Sequence, residues 1–152
     1  MNVWHVGTLA CAVISLLLLF IGMASDHWMT DISSHRGLWR VCSLLRCCTY
    51  ISVRAYLHAT RAFLVIGVIV GALACFALGA LFSRPKIASY SLSMVAVIAS
   101  FAASISILIA MAIFTGVTDS DHSYGWSFGL GWVSFPLFII TGALAYKLHS
   151  QQ

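Results

Sequence analysis

Charge is what this sequence has least of. Only 8% of its 152 residues are Asp, Glu, Lys or Arg, four acids against eight bases, and so few charges cannot coat a water-soluble domain of that size. The acids Asp26, Asp31, Asp119 and Asp121 all stand outside the long apolar runs, and no run interior carries an Asp, Glu, Lys or Arg. Pumps, channels and proton relays place ionisable groups at membrane depth, so their absence argues against transmembrane transport. An embedded enzyme would need a nucleophile beside a base, or paired carboxylates, at a common depth. The runs offer only hydroxyls and isolated thiols, so no enzymatic activity and no cofactor are expected. The six histidines, His5, His27, His35, His58, His122 and His149, are scattered rather than spaced as converging ligands, and no metal site is expected. Asn2 is the only asparagine, so the chain has no N-glycosylation sequon. No feature points to a nucleic-acid partner.

What the sequence has is apolar length. Hydrophobic residues make up 61% of the chain and collect in four runs, 3–24, 62–82, 87–117 and 126–146. Each meets the roughly 20 residues that a helix needs to cross a hydrocarbon core about 30 Å thick. The expected fold is an all-α membrane protein, with residues 1–152 forming a single four-span domain in contact with lipid. The first run closes on Gly22-Met23-Ala24 and could be taken for a signal peptide. No Lys or Arg precedes it and it is long enough to span, so we expect it to be retained. The fourth run carries Pro136, where a kink is expected because the ring removes a helix bond.

Four spans place both termini on one side and leave loops of unequal size, with 25–61 much the longest. Counting cations near the membrane sets Arg36, Arg40, Arg46, Arg54 and Arg61 of the long loop against Arg84, Lys86 and Lys147 on the terminal side, which favours a cytoplasmic long loop. The cysteines argue the reverse. Cys42, Cys47 and Cys48 cluster in that loop, and a close pair there fits a disulfide in an oxidising compartment. We expect the long loop outside and both termini cytoplasmic, in a multi-pass protein of the plasma membrane. Within the loop, 26–30 and 37–42 are rich in aromatic and β-branched residues and read as strands. A second strand from Cys47 through Val53 would turn back across 43–46 and set Cys42 opposite Cys47. Cys48 then faces the other way, and one thiol is left over.

Trp28, then Gly37-Leu38-Trp39, then Cys42 and Cys47 resembles the W…GLW…C…C signature of the claudin, peripheral myelin protein and epithelial membrane protein superfamily. The stretches 25–29, 59–63 and 115–118, with Trp126-Ser127-Phe128 and Gly131-Trp132-Val133, look most like its lens-fibre branch. The likeness thus covers nearly the whole chain. It implies a left-handed four-helix bundle carrying a small extracellular antiparallel sheet built mainly from the first loop, a Cys42–Cys47 disulfide, and a role in cell contact and membrane organisation. It also implies that Gly37-Leu38-Trp39 folds back to seat the loop, its apolar pair wedged between the spans. Departures are instructive too. The signature cysteines are separated by only four residues, closer than is usual in claudins, which counts against the broad sheet of paracellular strands. The Gln151-Gln152 ending lacks both the hydrophobic terminal residue offered to PDZ scaffolds and the longer basic tail of the lens branch.

Other constellations have a plain reading beside a sharper one. Trp28 and Trp39 fit interfacial aromatics at the mouth of the bundle. Asp26 and Arg61 stand at one level and either pair or reach outward separately. Small residues recur at Gly67, Gly71, Cys75 and Gly79, at Gly7, Cys11 and Ser15, and at Gly125 and Gly129, as expected of helix seams, mostly within the bundle and otherwise between copies. Ser91, Ser93, Ser100, Ser104 and Ser106 can bond across helices or to their own backbone. Cys11 and Cys75 read as inert small residues. Together these point to a non-enzymatic protein of cell–cell junctions that self-associates laterally. Its basic first loop (Arg36, Arg40, Arg46 and Arg54) would meet an acidic protein, a glycan, anionic lipid, or the Asp119 and Asp121 of another copy. A claudin-type paracellular barrier or pore is the alternative.

Overall fold

The computed structural model describes residues 3–25, 27–30, 34–43, 46–49, 55–83, 89–117 and 123–150. Four helices dominate: α1 (Val3–Ala24), α2 (Ala55–Ser83), α3 (Ser89–Val117) and α4 (Trp126–Ser150). Between α1 and α2 lie four short strands, β1 (Met29–Thr30), β2 (Ser34–Arg36), β3 (Arg40–Ser43) and β4 (Cys47–Thr49), and β5 (Ser123–Tyr124) precedes α4. All four helices are long and apolar enough to cross a membrane. In α4, Trp126 and Tyr146 lie 20 positions apart, about 30 Å at the helical rise, which matches the thickness of a hydrocarbon core.

Boundaries differ from the sequence expectation in informative places. Helix α2 begins at Ala55 rather than 62. Tyr56, His58, Thr60 and Arg61 interrupt the apolar run there, yet the candidate span begins at Leu57, and Leu57, Thr60 and Leu64 repeat at helical spacing and are buried. Helix α4 continues past Tyr146 to Ser150, with Lys147 and His149 in its last turn, where the lysine cation complements the helix dipole. Pro136 lies inside α4 without ending it. The strand expected over 26–30 shrinks to Met29–Thr30, and Leu38 and Trp39 form a bend rather than strand. The returning strand is Cys47–Thr49; its expected continuation to Val53 lies outside the described residues.

The helices pack in a ring, with α1 against α2 and α4 and with α3 against the same two neighbours. Their interior divides into two clusters. Near the sheet, large side chains meet: Leu19, Leu38, Leu64, Ile107, Met111, Phe114 and Phe138 with Trp28. Toward the termini, Ala12, Ala77, Ala96 and Ala145 share the interior with Leu78, Leu81 and Leu148, small residues that let backbones approach in lipid. The glycine seams are selective. A Cβ on Gly71 would stand 2.7 Å from the Phe138 ring and one on Gly67 3.3 Å from Ile107, whereas Gly7, Gly79 and Gly129 face open space. A close α1–α4 approach is instead at Gly22, where an added Cβ would stand 3.2 Å from Leu130 and from the Ser127 carbonyl. Buried hydroxyls are mostly satisfied by their own helix: Thr8, Ser15 and Thr141 donate to the carbonyl four residues earlier, and Ser104 and Ser134 to the one three earlier. Polar ties also cross between helices among the described residues: Cys11 Sγ donates to the Leu137 carbonyl at 3.7 Å and accepts from Thr141 Oγ1 at 3.2 Å. Ser93 Oγ meets His149 Nδ1 at 2.8 Å and His5 Nε2 meets the Leu78 carbonyl at 3.1 Å, while the Lys147 ammonium stands 3.6 Å over the Trp4 ring.

The sheet has the order β4-β3-β2-β1-β5, every pair antiparallel. It therefore draws on both loops at its end of the bundle, with β1 to β4 from the first loop, as expected of a sheet built mainly from it, and β5 from the second.

Candidate functional site

The sheet is fastened to the helix ends by residues of the W…GLW motif, and Trp28 is the deepest fastener. Its side chain is 1% exposed, so it is no interfacial aromatic. Burial of an indole calls for a partner for its N–H, and Nε1 donates to the Gly22 carbonyl at 2.7 Å, one of the carbonyls that the end of α1 leaves without an intrahelical donor. The ring meets Phe114 of α3 and Phe128 of α4 edge to face, at centroid distances of 5.0 and 6.0 Å. A Cβ on Gly131 would come within 3.5 Å of it and within 2.9 Å of Met111, so this glycine makes room for the seat. One side chain thus ties the first loop to three helices.

The Gly37-Leu38-Trp39 segment divides its labour. Leu38 is fully buried in the sheet-side cluster with Leu57 and Leu64 of α2. Trp39 remains 38% exposed and receives the Arg61 guanidinium at 4.6 Å from its ring centroid. Only the leucine is wedged between spans, which corrects the expectation of a wedged pair. Arg61 Nε also donates to the Leu38 carbonyl at 2.6 Å, so this cation holds the bend in place rather than joining an outward basic face. Asp26, its expected ion-pair partner, lies outside the described residues.

The second loop is stitched to the same point by backbone. Gly125 N donates to the Trp28 carbonyl at 2.9 Å, Ser127 N to the His27 carbonyl at 3.3 Å, and Trp28 N to the Arg36 carbonyl at 2.8 Å. Ser25 Oγ and Ser127 Oγ lie 2.6 Å apart. Gly125 belongs to this junction and not to a helix seam, because a Cβ there would fall on the His27 carbonyl. Above it, the His27 ring stacks on His35 and on Trp126. Nothing in the sequence announced that stack, since the three residues come from separate segments. The capping potential of Ser25 and the glycine directly before α4 were the only local signals of the junction.

The remaining site residues fall as follows. Backbone register places Cys42 directly opposite Cys47 and Cys48 opposite Val41. Arg36 and Arg46 are exposed, and Arg40 opens β3 opposite Thr49. Arg54, Asp119 and Asp121 lie outside the described residues. No group of three or more His, Cys, Asp or Glu side chains is placed to hold a metal among the described residues.

Four apolar helices capped by a sheet that the buried Trp28 and Leu38 of a W…GLW motif anchor define a multi-pass membrane protein of the claudin type. The PMP-22/EMP/MP20/Claudin family model matches residues 1–145, and the chain belongs to that family. Over 164 aligned residues it is 36% identical to the lens fiber membrane intrinsic protein of Rattus norvegicus, covering 94% of this chain and 91% of the relative. Identity to the Homo sapiens protein of that name is 35% over the same shares. Protein NKG7 of Mus musculus is 30% identical, with 85% of this chain and 81% of the relative covered.

Proposed function

We propose that this protein organises contacts between cells, using the sheet as a rigid platform that presents cationic side chains to an apposed membrane. The sheet faces outward and both termini are cytoplasmic, at the plasma membrane. The observation that carries the reading is the anchoring itself: strands from both loops converge on Trp28, Leu38 and Gly125, which holds the exposed Arg36 and Arg46 on a fixed support. Apart from Arg61, held at the bend, the first loop carries Arg36, Arg40, Arg46 and Arg54 against Asp26 and Asp31 in sequence, whereas the second carries Asp119 and Asp121. Two identical cationic faces repel, so the apposed surface is acidic: the second loop of an offset copy, an acidic protein or glycan, or anionic lipid, where each cation near the surface is worth about 1 kcal/mol. Self-association within one membrane arrays the platform.

Proteoliposome aggregation tests this. Vesicles carrying the protein are expected to bind acceptor vesicles at low salt and to release them as salt shortens the Debye length to about 8 Å and below. Arg36→Glu with Arg46→Glu is expected to weaken binding at every salt concentration. Adhesion indifferent to both would overturn the electrostatic mechanism. Capture only of vesicles bearing the same protein selects the homophilic version. A paracellular barrier draws support from family membership, and a rise in transepithelial resistance on expression would select it.

The platform is further pinned by a Cys42–Cys47 disulfide, with Cys48 left free. Antiparallel partners lie about 4.5–5.5 Å apart at Cα, within the span of about 4.4–6.8 Å that a disulfide bridges, and the register supports this pair over Cys42 with Cys48. Non-reducing peptide mapping of surface-labelled protein is expected to recover the Cys42–Cys47 link. A link to Cys48 would refute the pairing, and three free thiols would refute it together with the main argument for an outward sheet.

A further inference from the structure

His27 occupies the point where β1, β2 and the start of α4 meet. Its imidazole lies parallel to that of His35, with centroids 4.1 Å apart and planes within 9°, and also stacks on Trp126 at 5.3 Å. Its Nδ1 is buried and has no hydrogen-bond partner among the described residues. We infer that the His27–His35 stack is a proton-operated latch, closed when the rings are neutral or share one charge, and opened when both are protonated. The inference rests on the contact-platform reading only for its consequence, that adhesion weakens in acid.

Imidazole is the side chain whose charge changes between about pH 5 and pH 8. A single proton is compatible with the stack, since a cation beside a neutral ring and an indole face gains cation–π attraction. A second proton sets two like charges 4.1 Å apart, at a point where the buried His27 Nδ1 has no hydrogen-bond partner among the described residues to offset the added charge. The repulsion is relieved if the rings separate. Separation lets β2 part from the first turn of α4, and the strand pairs β2–β1 and β1–β5 lose lateral support.

Few other charges bear on the rings from the described elements around them. Arg36 follows His35 on β2 and therefore points to the opposite face of the sheet. On β3, which pairs with β2, the charged residue is Arg40, opposite Thr49. Tyr124 of β5 stacks on Phe128 at 4.0 Å. The last turn of α1, strand β1 and the first turns of α4 carry no charged residue. Asp26, Asp31, Asp119, Asp121 and His122 flank these elements in sequence and lie outside the described residues, so His122 needs a control variant.

Hydrogen exchange of the full chain in lipid nanodiscs reads the latch directly. After correction for the chemical rate, amides of β1, β2 and β5 are expected to exchange about tenfold faster at pH 5 than at pH 8 in the unmodified protein, while mid-helix amides do not change. His35→Phe keeps a flat ring that cannot be charged; it is expected to retain the neutral-pH protection and lose the acid response. His122→Gln is expected to leave the response intact. A flat pH profile in the unmodified protein would overturn the latch without needing any variant. So would an acid response that survives His35→Phe, or one that vanishes with His122→Gln. Should His35→Phe fail to fold, His35→Gln takes its place; it removes ring and charge together, so its exchange is expected to be pH-independent, with an acid response in it overturning the latch. Adhesion is scored separately. A pH-dependent exchange with no adhesion at any pH refutes the contact reading alone, and adhesion with pH-flat exchange refutes the latch alone.

Discussion

Trp28→Ala is expected to leave little folded protein. Truncating a buried tryptophan costs about 3–5 kcal/mol, and here the change also removes the 2.7 Å Nε1 bond to the Gly22 carbonyl, which Ser25 Oγ approaches at a long 3.5 Å, adding about 1–3 kcal/mol. Domains of this size are stable by only about 5–15 kcal/mol, so the sum removes a large share. Loss will not be local, because the same ring contacts Phe114 and Phe128 and the neighbouring peptide carries the Gly125 and Arg36 bonds. Trp28→Phe keeps most of the edge-to-face packing and loses the Nε1 bond, so a smaller loss of about 1–3 kcal/mol is expected. Trp39→Ala makes the contrast. It gives up an exposed ring and one cation–π contact worth about 0.5–1 kcal/mol. Denaturation of reconstituted protein, followed by far-UV circular dichroism, should therefore rank Trp28→Ala well below Trp28→Phe, with Trp39→Ala near the unmodified protein. Equal losses at Trp28 and Trp39 would refute the assignment of Trp28 as the fastener.

That contrast also explains what could be read in advance. Both tryptophans stand in the loop that joins two apolar runs, and read from sequence both fall at the mouth of the bundle by the rule that places Trp at membrane interfaces. What separates them is rotation: Trp28 turns under the end of α1 toward Gly22, and no one-dimensional pattern encodes that turn. The spans themselves were legible because length and apolarity decide a crossing, whereas the first turns of α2 were missed because they rise above the apolar run. Their signal was the burial spacing of Leu57, Thr60 and Leu64. Strand β5 has two residues, Ser123 and Tyr124, too few for any alternation to register. It becomes strand because Gly125 N reaches the Trp28 carbonyl, a contact between segments almost a hundred residues apart. The hairpin pairing of Cys42 with Cys47 was readable for the opposite reason, since a short turn fixes the register of the strands it joins.

Gly125 and Gly129 look alike in sequence, four residues apart in what reads as one seam, yet alanine is expected to act on them with opposite sign. At Gly125 the added methyl falls on the His27 carbonyl and lies 3.3 Å from Thr30 Cγ2. The first obstacle is backbone and cannot rotate away. The same His27 carbonyl accepts from Ser127 N, and Gly125 N is bonded to the Trp28 carbonyl, so any shift that relieves the overlap breaks the pairing of β5 with β1 or uncaps the start of α4. Overpacking where side chains can yield costs about 1–3 kcal/mol, and with backbone on both sides Gly125→Ala should reach at least the upper end. Gly129 lies in the first turns of α4 with nothing near its missing Cβ. Alanine there restricts the unfolded chain and favours helix, a gain of about 0.5–1 kcal/mol. The denaturation assay reads both signs, and hydrogen exchange adds location: Gly125→Ala should expose the amides of β1 and β5 while the helices remain protected. A neutral Gly125→Ala would mean that the junction is looser than its hydrogen bonds imply. A destabilising Gly129→Ala would place that open face of α4 against a second copy of the chain, where small residues let backbones close together, and would give the proposed lateral assembly its contact surface.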